Sequence, residues 1–347
     1  MSETRGVLDV EDDALTGWIG SLDPSVTPPL TIARVGLGQS NLTYRVTDAA
    51  GHPWVVRRPP AGRLLRSAHD VVREARILAA LGPADVPTPR ILGIAAAGEV
   101  AGVPLVLMEF VDGMVVESLT AADGLTHPER RTAGLGLPDT LALVHAVDLD
   151  STGLTDLASH APYAARQLKR WSGQWDASRT RELPELDRLT RRLGRAIPVQ
   201  RDVVLVHGDL HLRNVVIAPG TGQVVAALDW ELSTLGDPLA DLGTTLAYWP
   251  EPGEVAFVGF ESSTLPGFPR RAELVARYAE AAGRDVPAAA IGFWHALGLW
   301  KLAIIAEGVL RRARDDARNR AASGVPDEAT IDGIVAQAHQ VAATAGI

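Results

Sequence analysis

From Leu30 to Val111 the apolar residues fall in short runs suited to strands: TIARV (31–35), NLTYRV (41–46) and PWVVRR (53–58). Glycine-bearing turns separate them, AAGHP at 49–53 included, and two further strand-like runs lie near 90–94 and 103–110. One helix interrupts the strands. Val71, Ala75, Leu78 and Leu81 recur at helical spacing, Ser67 and Asp70 make a capping-box-like start, and Gly82-Pro83 ends it. Ahead of the strands, residues 9–19 read as a short amphipathic helix with acidic residues in its first turn, where they suit the helix dipole.

After Asp112-Gly113 the period changes. Residues 128–147 read as a helix despite Pro138, 163–175 and 184–193 as two more, and most of the chain beyond Pro238 as helix. Short apolar runs at 203–206, 215–217 and 224–228 form a small β cluster, with PGTG (219–222) turning between the last two. No internal repeat or low-complexity segment occurs. The pattern predicts an α+β protein with a helical extension over 1–22, a β-rich lobe over 23–111 and a mainly helical lobe over 112–347. With little linker between them, the two lobes are expected to meet at a cleft.

Composition removes several function classes. A length of 347 residues suffices for two substantial cores, and a net charge of −9 disfavours a nucleic-acid phosphate surface. The chain has no cysteine, which excludes disulfides, thiolate nucleophiles and Cys-ligated metals. The opening MSETRGVLDVEDD is acidic and lacks the basic-then-apolar pattern of a secretory signal. The longest uncharged apolar stretch, 286–300, is shorter than the roughly 20 residues of a membrane span, so a buried helix is expected there, in a cytoplasmic protein without a membrane partner. Of the 33 basic residues only Lys169 and Lys301 are lysines.

Chemistry concentrates in VLVHGDLHLRNVVI (204–217), where a polar island interrupts an apolar run, and in LDWE, which ends the next run. Buried polar groups without partners cost about 1–3 kcal/mol each, so such an island usually has a use. Phosphoryl transfer from a nucleotide needs a carboxylate for the attacking hydroxyl and oxygen ligands for Mg²⁺. Asp209 suits the base, Asn214 and Asp229 the metal; the plain alternative is a hydrogen-bonded buried turn. With HGDLHLRN followed by DWE the chain resembles the aminoglycoside-phosphotransferase branch of the protein-kinase-like superfamily. The resemblance implies a two-lobed kinase-like fold and transfer of phosphate from a nucleotide to a hydroxyl.

The remaining motifs follow in the order that resemblance requires. RVGLGQSNLTYRV carries Gly36 and Gly38 before a strand, so backbone N–H groups around Gln39, Ser40 and Asn41 could hold a phosphate under a hairpin lid, a structural turn being the alternative. The family's phosphate-binding lysine is missing, since no lysine precedes Lys169. Arg57 or Arg58 must replace it; Arg57 shares a strand face with Val55 and is preferred, with Glu74 of the helix as its partner. By resemblance LVLMEFVDG is the hinge, with the Glu109 carbonyl and Val111 N–H reading the adenine edge and Met108 at the back of the pocket. His211 and Arg213 stand where kinases often carry a cation for the transferring group, His207 is expected to brace the loop, and Asp241 to hold it.

The implied cofactors are ATP, with GTP as the alternative, and Mg²⁺; the implied partner is a small-molecule hydroxyl acceptor, and oligomeric state is left open. Nine of the 17 aromatic residues lie between Tyr248 and Trp300, which suits an apolar acceptor pocket or an ordinary helical core. VVRRPPAG, LMEFVDG and LDWELSTLGDPLADLG look like the kinase-type domains associated with acyl-CoA dehydrogenases, which implies a hydroxyacyl or other apolar metabolite. An antibiotic phosphotransferase acting on an aminoglycoside or macrolide is the second reading, and a nucleotide-binding pseudokinase the third.

Overall fold

The computed structural model describes residues 8, 10–35, 41–60, 70–316 and 324–347. The chain divides into two compact units, Met1–Asp112 and Gly113–Ile347.

In the first unit helix α1 (Asp12–Leu22) precedes strands β1 (Thr31–Val35), β2 (Leu42–Thr47) and β3 (Pro53–Arg58). Helix α2 (Val71–Leu81) and strands β4 (Ile91–Ala95) and β5 (Leu105–Glu109) complete it. The strands form one antiparallel sheet in the order β1-β2-β3-β5-β4. Because side chains alternate along a strand, its two faces differ. Trp54, Val56, Tyr44, Val46, Leu105 and Leu107 form one buried core with Leu15 and Ile19 of α1, so the N-terminal helix shares the sheet's core. Val55, Arg57, Val106 and Met108 alternate with those residues, and the register sets Val55 opposite Met108 and Arg57 opposite Val106. Helix α2 packs on β4 and β5. Its N-cap is Asp70, which accepts the Arg73 N–H at 2.9 Å; Ser67 lies outside the described residues.

The second unit opens with helices α3 (Leu119–Asp123), α4 (His127–His145), α5 (Tyr163–Ser178) and α6 (Pro184–Arg195). Four short strands follow: β6 (Val204–Val206), β7 (Val215–Ile217), β8 (Val224–Ala227) and β9 (Thr234–Gly236). They make two separate antiparallel ladders, β6 with β9 and β7 with β8. The rest is helix: α7 (Pro238–Ala247), α8 (Arg271–Ala282), α9 (Ala288–Asp315) and α10 (Glu328–Thr344). Strand β9 was not expected; its three residues TLG carry no alternation, and pairing with β6 alone makes it a strand.

Helix α9 begins close to the apolar stretch that predicts it and continues to 28 residues. By length and composition it could cross a membrane, yet Trp294, Trp300, Leu302 and Ala303 are buried in the helical core with residues of α5, α6, α7 and α10. Helices α7 and α9 cross at two glycines. A Cβ on Gly298 would lie 2.7 Å from the Gly243 carbonyl oxygen, and one on Gly243 would lie 2.5 Å from the Trp294 carbonyl carbon, so neither position has room for a side chain. This crossing seats α7, which carries Asp241 and Thr245, against α9.

Candidate active site

Strands β6 and β7 belong to different ladders, so the loop between them, residues 207–214, is held by side chains rather than by a hairpin. Asp241, near the start of α7, accepts the His207 N–H at 2.6 Å through Oδ2 and the Gly208 N–H at 2.6 Å through Oδ1. His145 Nε2 lies 3.2 Å from Asp241 Oδ2, and its Nδ1 lies 2.7 Å from the Tyr278 hydroxyl. Thr245 donates to the Leu210 carbonyl at 2.8 Å, and Ser233 to the Val206 carbonyl at 2.8 Å. Gly208 has φ +87°, and a Cβ there would meet the Leu232 carbonyl oxygen at 2.8 Å, so the turn requires glycine.

His207 is a brace. Its Nε2 lies 3.0 Å from the Leu228 carbonyl and its Nδ1 lies 3.3 Å from the Asp209 nitrogen, which assigns the proton to Nε2 and makes Nδ1 an acceptor. Burial lowers its pKa, against the opposing influence of Asp241, Asp209 and Asp229, which suits this neutral arrangement.

Asn214 is tied to the same loop. Its Nδ2 donates to the Asp209 carbonyl at 2.9 Å, which engages the amide nitrogen and leaves the amide oxygen as the atom that could take a metal. The β7-β8 ladder sets Val215 opposite Ala227, and the Leu228 N–H donates to the Asn214 carbonyl at 2.8 Å, so Asn214 and Asp229 come from facing ends of one ladder. Asp229 has φ 62° and ψ 67° and is the only non-glycine with positive φ among the described residues.

Around Asp209 the structure gathers aromatic rings. His211 Nε2 lies 3.5 Å from Asp209 Oδ2. The His211 ring stands edge-on to Tyr248, at 4.7 Å between centroids, and to Phe260, at 4.9 Å. Tyr248 and Phe260 are 4.6 Å apart, Phe257 and Phe260 5.4 Å. Arg213 places its guanidinium 4.8 Å from the Phe260 centroid. The Tyr248 hydroxyl has its pKa raised by burial first, then by the neighbouring Asp209 charge and hydrogen bonding toward it. Burial would raise the Asp209 carboxyl, but His211 first, then Lys301 and His207, outweigh it and bring the pKa down to about 2. Asp209 is therefore ionised across the physiological range.

In the sheet unit the structure brings Arg57 and Glu74 together, Nε to Oε2 at 3.1 Å, with both side chains largely buried. Arg58 turns to the opposite face and donates to the carbonyls of Leu8 and Pro59. Met108 is buried in β5, and Glu109, the last residue of that strand, accepts the Arg90 N–H at 2.9 Å with its carboxylate. Val111 follows, partly buried. Asn41, just before β2, is 6% exposed, and neither amide atom has a hydrogen-bond partner among the described residues. Gly36, Gly38, Gln39 and Ser40 lie outside the described residues.

Of the nine aromatics between Tyr248 and Trp300, Trp249, Phe268, Tyr278, Phe293, Trp294 and Trp300 are buried in the helical unit. Tyr248, Phe257 and Phe260 are only partly buried and form the group around His211. The direct contact of Tyr248 with Asp209 escaped the sequence analysis; its position just after the helix that holds the loop was the available signal.

The sheet unit thus holds a buried Arg57–Glu74 pair, and the helical unit sets Asp209 and Asn214 on one loop with Asp229 just past β8. Residues 31–295 match the APH phosphotransferase enzyme family, and the chain belongs to that family. It is 34% identical over 313 residues to acyl-CoA dehydrogenase family member 10 of Mus musculus, a match covering 89% of this chain and 29% of that protein. It is also 34% identical over 286 residues to acyl-CoA dehydrogenase family member 11 of Rattus norvegicus, covering 82% of this chain and 36% of the other. The chain thus spans about a third of the length of these curated relatives.

Among solved structures, one from Ralstonia eutropha, assigned provisionally to the aminoglycoside phosphotransferases, has a TM-score of 0.74 and 27% identity, covering 97% of each chain. Aminoglycoside phosphotransferase APH(4)-Ia, solved with AMP-PNP and hygromycin B, has a TM-score of 0.59 at 14% identity over 95% of this chain and 98% of its own, a likeness of fold alone.

Proposed function

We propose that the chain is an ATP- and Mg²⁺-dependent small-molecule kinase that transfers the γ-phosphoryl group to a hydroxyl of an apolar acceptor, of which hydroxyacyl compounds are the leading class. The observation that carries this reading is the aromatic group of His211, Tyr248, Phe257 and Phe260 set against the Asp209 carboxylate. Such a wall suits an apolar body beside a reacting hydroxyl better than it suits a polycationic sugar. The names of the curated relatives, acyl-CoA dehydrogenase family members, support an acyl-type acceptor.

Asp209 would orient the acceptor hydroxyl and take its proton as the oxygen bonds to the γ-phosphorus and the bond to the bridging oxygen breaks. Tyr248 and His211 would hold that carboxylate from either side, and Arg213 supplies positive charge at any pH. Arg57, fixed by Glu74, would contact the phosphates, and Met108, Glu109 and Val111 would take the adenine. Asn41 supports a nucleotide site next to residues 36–40, because a buried amide with both atoms unpartnered is costly unless a ligand completes it. Among the described residues no group of three or more His, Cys, Asp or Glu converges, so the metal would rest on the Asp229 carboxylate, the Asn214 amide oxygen, phosphate oxygens and water. That hard-oxygen set suits Mg²⁺, which when bound would neutralise charge on the phosphates.

The test is Mg²⁺-dependent nucleotide consumption against hydroxyacyl-CoAs, free hydroxy acids, aminoglycosides and macrolides, with Asp209→Asn as control. Turnover confined to the hydroxyacyl compounds is the expected result. Turnover confined to an antibiotic would move the assignment to resistance chemistry, and nucleotide binding without any turnover would favour a pseudokinase.

A further inference from the structure

Helix α9 carries Lys301 in an otherwise uncharged run. From residue 288 to 306 it is the only Lys, Arg, Asp or Glu, and it is one of two lysines in a chain that uses arginine almost everywhere else. A lone cation in the apolar stretch of a core helix is expensive unless something uses it. Its Nζ donates to the Gly208 carbonyl at 3.3 Å and lies 5.3 Å from the Trp171 ring centroid. Tyr163, Trp171, Trp294 and Trp300 help to line the crevice around it, which offers about 20 Å³, room for about one water molecule. Burial pulls the ammonium's pKa down, Arg170 adds to that, and Asp209 and Asp241 push it back.

The Gly208 carbonyl and the Asp209 N–H are the two edges of one peptide plane, the plane that sets where the Asp209 side chain departs from the backbone. His207 Nδ1 holds the N–H edge at 3.3 Å. Asp241 holds the preceding peptide through the Gly208 N–H at 2.6 Å. The carbonyl edge is held by Lys301. We propose that Lys301 is a positioning residue for phosphoryl transfer: its ammonium clamps the Gly208–Asp209 peptide and so aims the Asp209 carboxylate at the acceptor hydroxyl. This rests on Asp209 being the base.

Lys301→Met keeps the length and apolar contacts of the side chain and removes its charge and donors; Lys301→Ala opens the crevice. Both variants are expected to lower kcat about 100-fold, the loss that a misplacement near 1 Å can cause. The nucleotide KM should stay within about threefold, because only the chemical step is touched. Propylammonium should restore about tenfold of the Lys301→Ala rate by refilling the site with a charged donor, and 1-propanol should not. A Lys301→Met enzyme with unaltered kcat, or equal rescue by the neutral alcohol, would overturn the proposal. The Gly208 carbonyl ¹³C resonance reads the clamp without turnover: displacement in Lys301→Met supports it, and an unmoved signal rejects it. Failure of the unaltered chain to phosphorylate any hydroxyl would instead count against the kinase reading itself.

Discussion

The Arg57–Glu74 pair and the 207–214 loop both fix a charged side chain, and they do so by different means. In the sheet unit, strand alternation chooses the face and an ion pair with Glu74 at 3.1 Å helps to hold the arginine. In the helical unit no strand pairs with the loop among the described residues. Asp241 and Thr245 hold its backbone from α7, Ser233 anchors the strand that leads into it, and His145 backs Asp241. Support is concentrated in the first case and spread in the second. Removing the Glu74 charge should therefore weaken the sheet's device more than the loss of any one anchor weakens the loop.

The largest effect should come from the charge that the loop exists to hold. Asp209→Asn should lower kcat about 1,000-fold, within the range for loss of a general base, and leave nucleotide binding intact in a calorimetric titration. A variant within tenfold of the unaltered rate would dissolve the comparison at its centre.

Acid probes the same carboxylate thermodynamically. Its folded pKa, about 2, lies below the ordinary 3.8, so it contributes stability above about pH 4 that disappears as pH falls through 2. The contribution is about 2 kcal/mol, and urea unfolding of Asp209→Asn against the unaltered chain at pH 6 and pH 2.5 should show the gap closing in acid.

Glu74→Gln tests the concentrated support. Losing one charge-assisted contact of about 1.4 kcal/mol should raise the nucleotide KM about tenfold with the fold intact. Thr245→Val tests the distributed one: it removes one of several anchors, so stability should fall by about 1 kcal/mol and kcat by no more than about twofold. If Thr245→Val were as damaging as Glu74→Gln, the contrast between the two supports would be wrong.

The two regions also differed in how far the sequence revealed them. Arg57 could be told from Arg58 because the side-chain period of a strand is two and Val55 marks the face; the structure pairs Arg57 with Glu74 and sends Arg58 to the other side. Asp209, Asn214 and Asp229 stood out by their spacing, and the bracing role of Asp241, which the structure bears out, came from the resemblance of its segment to the family. Strand β9 was hidden because three residues carry no period. Tyr248, Phe257 and Phe260 could not be separated from the core aromatics around them, since what divides the two sets is three-dimensional packing. Lys301 stood out in the sequence as one of two lysines, directly after the apolar run 286–300. Its partner, Gly208, is 93 positions away, and no local pattern encodes such a contact.

The left-handed backbone at Asp229 has one more consequence. For a residue with a side chain that conformation costs about 1 kcal/mol, and glycine adopts it freely. Asp229→Gly should therefore relieve that backbone cost while losing divalent-dependent nucleotide binding. Any effort to harden this protein against heat by relaxing its backbone would select that position early and deliver a durable, inactive chain. On the proposed metal-binding role, Asp229 is kept for its chemistry at a cost in backbone freedom.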